Sequence, residues 1–138
     1  MVVMAMLLFA ISSAAQGEEK FKVHLSPVPL DLGMKSTVAG SGSASATLSG
    51  RKLTVTGSFD GMPSAATIAQ IHRGAATGVR GSAFLDLTVT KAAKGTISGS
   101  FDLTPEQIDN LKKGRLYIQI HSEKAPEGGP TLWGWLLK

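Results

Sequence analysis

After the first twenty residues, apolar side chains recur at every second position through most of the chain. FKVHL at 21–25 sets Phe21, Val23 and Leu25 on one face and Lys22 and His24 on the other. The segments KLTVTGSF (52–59), GSAFLDLTV (81–89), GTISGSF (95–101), RLYIQI (115–120) and TLWGWLL (131–137) alternate in the same way. That period of two is the signature of half-buried strands. AQIHRG (69–74) adds a further strand, with Ile71 opposite Gln70 and His72. The Gly/Ser/Ala-rich stretch at 36–50 keeps even spacing at Val38, Ala44, Ala46 and Leu48, which predicts an edge or bulged strand. Trp133, Trp135 and Leu137 share one face of the last strand and are expected to close the core.

One segment breaks the pattern. Thr104 offers an N-cap hydroxyl, Pro105 suits the first helical position, and Gln107 completes a capping box. Ile108 and Leu111 form an apolar stripe that ends at Gly114. The elements together predict an all-β fold. We expect an antiparallel sandwich or barrel of about eight strands, with one short helix at about 104–113.

The order of elements contains a repeat. TVTGSFDGMP (54–63) aligns with TISGSFDLTP (96–105), and Gln70-Ile71-His72 with Gln119-Ile120-His121. Gly81 before FLDL matches Gly134 before WLL. Pseudo-symmetric strands are then expected to bring His72 and His121 within a side chain's reach.

Composition narrows the class. MVVMAMLLFAISSAAQG carries no charged side chain, and its apolar run is shorter than the roughly 20 residues a spanning helix needs. Ser13 and Ala15 stand in the relation a signal peptidase accepts. Residues 1–16 therefore read as a signal peptide or a short retained anchor, and 17–138 as one extracytoplasmic domain, secreted or periplasmic. The chain has no cysteine, so no disulfide framework supports it. Its net charge of +4 comes from scattered residues, without the interleaved aromatics or recognition helix of a nucleic-acid binder. Attraction to anionic glycans or to a membrane's headgroups stays open.

With three histidines in the chain, a His24, His72, His121 set is the ceiling for a copper or zinc site. Asp60, Asp102 or Glu123 would complete a two-histidine version. Against it stands a neutral hydrogen-bonded cluster of Gln70, His72, Gln119 and His121 between strands. Arg73 and Arg80 could hold an anion. Met34 and Met62 read as core filling, and Asp60 and Asp102 as turn caps. No Gly-x-Ser-x-Gly elbow or phosphate-binding glycine pattern occurs, so no catalytic residue and no enzyme is expected.

FDGMPSAATIAQIHRGAATGVRGSAFLDL resembles the first signature of the CHRD (chordin) domain, with its His-strand and Gly-x-x-Gly loop. LTPEQIDNLKKGRLYIQIHSEKAPEGGPTLWGWL is similar to the second, and FKVHLSPVPLDL to the entry strand. The resemblance implies a secreted, microbial-type, β-rich module that binds or assembles with protein partners, without established catalysis or a resident cofactor. Two departures matter. Gln70 stands where the family commonly has histidine, which weakens a copper or zinc site. Gly129-Pro130-Thr131-Leu132-Trp133-Gly134 replaces a Gly-Glu-Ile-Arg-Gly ending, which offers Trp133 as a contact residue. Gln70, Gln119, Arg73 and Trp133 are thus the candidate interaction residues.

Overall fold

The structure, a computed structural model, describes residues 18–29, 37–126 and 129–138. The signal-like segment at 1–16, the start of the 17–138 domain and Met34 lie outside the described residues. Period-two alternation produces eight strands: β1 Glu18–Pro27, β2 Ser41–Ser49, β3 Lys52–Asp60, β4 Ala66–Arg73, β5 Ser82–Val89, β6 Gly95–Asp102, β7 Leu116–Ser122 and β8 Pro130–Trp135. They close into a barrel in the order β1-β2-β3-β6-β5-β4-β7-β8, every pair antiparallel. The expected alternative of sandwich or barrel resolves as a barrel because the first and last strands pair, Ser26 with Trp133 and Pro27 with Leu132.

Closure overturns the edge assignment for 36–50. β2 is paired along its whole length, to β1 on one side and to β3 on the other. Its small residues serve the interior, where Ala44 and Ala46 leave room for Phe21, Leu53, Val55 and Phe59 from neighbouring strands.

A single short helix, α1 Pro105–Lys112, lies within the expected 104–113. Thr104 Oγ1 accepts from Gln107 N, and Gln107 Oε1 accepts from Thr104 N at 2.9 Å. Both halves of the capping box are made. Leu103 and Leu111 are fully buried in the core, and Ile108 packs against it. Glu19, on β1, ties this helix to the C-terminus through Lys112 (3.6 Å) and Lys138 (3.2 Å). The Lys138 ammonium, with Lys112 adding to it, holds the Glu19 carboxyl below its ordinary value despite partial desolvation.

Outward-facing residues of the other half of the barrel form an unusual surface. On β1, between Glu18 and Ser26 at the ends of that face, they are Lys20, Lys22 and His24. Register carries each across β2, β3 and β6 to three hydroxyls: His24–Ser43–Ser58–Thr96, Lys22–Ser45–Thr56–Ser98 and Lys20–Thr47–Thr54–Ser100. One column is cationic or imidazole, and three columns are hydroxyl.

Two tests address this architecture. Gly134 faces inward at the seam, where an added Cβ would lie 2.4 Å from the His24 carbonyl oxygen and 2.6 Å from Val23 Cγ1. Gly134→Ala should therefore cost about 1–3 kcal/mol in denaturant unfolding, and a neutral result would deny that closure is tight there. For Glu19, the folded pKa lies below the unfolded one. Its contribution is present above the model-compound value of 4.5 and disappears as pH falls through the lowered value. Melting curves of wild type and Glu19→Gln should differ by a small constant gap at neutral pH, since the pair is partly exposed, and converge in acid.

Candidate functional site

β4 and β7 lie side by side, so the two Gln-Ile-His strands do meet. Their antiparallel register places Gln70 opposite Gln119 and Ile71 opposite Ile118. His72 faces Tyr117, four residues before His121. Four residues of strand span about 13 Å, so the two imidazoles point out at opposite ends of the ladder. The expected His72–His121 proximity is therefore wrong, for a geometric reason. When two copies of a segment pair antiparallel, only the residue at the local two-fold meets its own equivalent, and here that residue is glutamine. Thr56 and Ser98, 42 residues apart in the repeat, meet the same way between β3 and β6. The Gly81–Gly134 equivalence also fails. Ile71 pairs with Leu85 and Ile120 with Leu132, which makes Leu87 the counterpart of Gly134.

The polar cluster expected between these strands is in fact three separate contacts. Gln70 Nε2 donates to Asp86 Oδ1 at 2.9 Å. Gln119 Nε2 donates to His121 Nε2 at 3.0 Å. His72, more than nine-tenths buried, lies 3.0 Å from the Gly81 carbonyl through Nδ1. A carbonyl only accepts, so Nδ1 carries the proton. His24 is exposed on β1, away from both. Among the described residues, no three or more His, Cys, Asp or Glu side chains gather where they could hold a metal. Arg73 spends its guanidinium on Glu106 at 3.1 Å, an exposed pair, and is turned away from any free anion. Asp60 caps its turn by accepting from Gly61 N, as expected, and Met62 is buried in the core.

What the structure assembles instead is an aromatic group on the outside of the barrel. Leu132, Gly134 and Leu136 turn inward, so Trp133 and Trp135 turn outward and are half-buried. They do not close the core, contrary to expectation. TLWGWLL is apolar on both of its faces, and alternation alone cannot say which face the barrel encloses. Tyr117 lies between them and His72: its ring centroid is 4.5 Å from Trp135, 5.8 Å from Trp133 and 4.9 Å from His72, which it stacks on at 20°. Arg80 reaches over Trp133, with its guanidinium carbon 5.4 Å from the ring centroid.

A loop holds this group in place. Residues 74–81 fold back so tightly that a Cβ on Gly81 would lie 1.7 Å from the Arg73 carbonyl oxygen. Gly81 thereby presents both its N–H and its carbonyl to Tyr117. The phenol accepts from Gly81 N at 3.0 Å and donates to Gly81 O at 3.1 Å. Thr77 Oγ1 donates to the Gly114 carbonyl at 2.6 Å and pins the far end. Tyr117 is 1% exposed although it faces outward, because loop and indoles cover it. The sequence marks Arg80 only as a possible anion holder and does not mark Tyr117, whose one signal is that it shares the outward face of Gln119.

This arrangement predicts a graded response. Tyr117→Phe removes both bonds to Gly81 and should cost about 1–3 kcal/mol of stability in denaturant melts. His72→Ala removes the stacked ring, while Tyr117 still serves the Gly81 carbonyl, and should cost about 1–3 kcal/mol as well. If both variants unfold like wild type, the loop is not anchored by this pair.

Comparison with known proteins fits this architecture. No curated protein and no solved structure matches the chain. A family model described as CHRD domain matches residues 21–129, from β1 to the start of β8. That match spans most of the sequence, and the chain belongs to the CHRD domain family.

Proposed function

We propose that this chain is an extracytoplasmic binding and assembly module that docks a protein partner on the outer face of β4, β7 and β8, and that it does not catalyse a reaction. The observation that carries the reading is the immobilised Trp133–Arg80 pair on the barrel exterior. Tryptophan, tyrosine and arginine dominate binding hot spots because they bury large area at small entropic cost. Here that cost is already met within the chain, since Tyr117 and the 74–81 loop fix the indoles in advance. Ile68, 46% exposed on the same face of β4, extends the apolar surface, and Gln70 and Gln119 supply polar contacts beside it. Placement outside the cytoplasm follows the family, whose domains occur in extracellular proteins. His72 meets a backbone carbonyl and His121 a glutamine, contacts that suit a binding surface.

Protein taken from its native extracytoplasmic fraction should migrate in a complex larger than the monomer. Arg80→Ala, at an exposed residue of the same group, should weaken that association at least tenfold, about 1.4 kcal/mol, and leave the melting temperature nearly unchanged. Monomeric wild type at native concentration would defeat the proposal. The copper or zinc reading is checked on the same material: stoichiometric metal that raises the melting point of chelated wild type, but not of His72→Ala, would replace docking with metal binding.

A further inference from the structure

A groove of about 900 Å³ runs along the outside of β8, β1, β2 and β3, beside the aromatic group. It arises from a step in side-chain height. Trp133, Trp135 and Leu137 stand on one bank, while the floor carries serine, threonine, alanine, glycine and Val23. Lys22, His24 and Lys138 are the charged or titratable residues along it, and no carboxylate is among its described lining residues. Lys138 is paired with Glu19, but Lys20 and Lys22 take part in no ion pair among the described residues. The acids on this face lie at its two ends: Glu18, two residues before Lys20 on β1, and, beyond His24, Asp60, which Lys94 meets at 3.9 Å.

We infer that this groove is a binding site for an anionic polysaccharide, bordering the protein-docking face and sharing its two indoles with it. Each feature answers one part of that ligand. Indole faces accept the apolar C–H face of a sugar ring and keep it from water. Unpaired ammonium groups on alternate residues of β1 repeat at roughly 6.8 Å and meet carboxylates or sulfates along a chain. The hydroxyl columns behind them give and take hydrogen bonds with sugar hydroxyls without presenting a competing charge. An open, shallow trough lets an extended polymer pass through, so the site does not depend on a chain end.

The protein's two tryptophans both border this groove, so intrinsic fluorescence reports on it directly. Titration with dextran sulfate should give a saturable change in Trp emission whose midpoint rises with salt, whereas neutral dextran of equal length should give none. Lys22→Glu should weaken binding at least tenfold. Ser45→Glu, which places a carboxylate on the floor, should do the same. Lys91→Glu carries the same change in net charge outside the groove and should bind like wild type. Loss of affinity in Lys91→Glu equal to that in Lys22→Glu would reduce the effect to net charge and overturn the site. So would the absence of any emission change with dextran sulfate, or tighter binding to phosphatidylglycerol vesicles than to the polysaccharide.

Discussion

Closure of the barrel between β1 and β8 is the constraint on which the rest depends. The seam is short, with Ser26–Trp133 and Pro27–Leu132 at one end and a single Lys22–Leu137 bridge at the other. Between them the two backbones approach so closely that only hydrogen fits at the Cα of Gly134. A closed ring has no free edge, and it divides each strand into an inner and an outer set. The inner set must fill a narrow interior, which explains Ala46 opposite Phe21 and Val55, and Ala44 opposite Val23. The outer set is released from packing and is available for recognition. Gly134 serves both sets, because it draws β8 against β1 and thereby sets Trp133 and Trp135 beside the β1 cations.

Local rules made the strands and the helix legible in the sequence. Period-two spacing located all eight strands, and Thr104, Pro105 and Gln107 marked the helix start that the capping box occupies. Non-local facts were not legible. Ser41–Ser49 looked like an edge because its residues are small, and smallness is equally what the inside of a tight barrel requires. The Trp133 and Trp135 pair was correctly placed on one face but assigned to the wrong side, because Leu132 and Leu136 supply an equally apolar alternative. Which face turns inward is decided by closure, and no residue within the segment records it.

The repeat carried a subtler lesson. Sequence similarity identified equivalent strands correctly, and β4 and β7 are indeed neighbours. Equivalence between strands does not imply contact between equivalent residues. In an antiparallel pair the register sums to a constant, so Gln70 and Gln119 coincide while His72 and His121 diverge in opposite directions. A metal site built from the repeated histidines would need parallel neighbours or a different register. The chain uses its histidines locally instead, one to hold a loop and one to receive a glutamine.

The two outer faces also differ in what makes them rigid, and that difference bears on what each can bind. The aromatic face is held by side chains: a phenol bonds both the N–H and the carbonyl of Gly81, and the rings pack on each other. Its shape is defined before a partner arrives, which favours a single complementary protein surface. The hydroxyl face is held by the backbone ladder alone, with β2 and β3 paired along their full lengths and short side chains above them. Short hydroxyls reorient freely and impose little shape, so such a surface tolerates a ligand that repeats and slides. Trp133 and Trp135 stand at the boundary, lining the groove and packing on Tyr117. Occupying the groove would therefore bury indole area that the docking face also uses, and a polymer and a protein partner would compete for the same two rings.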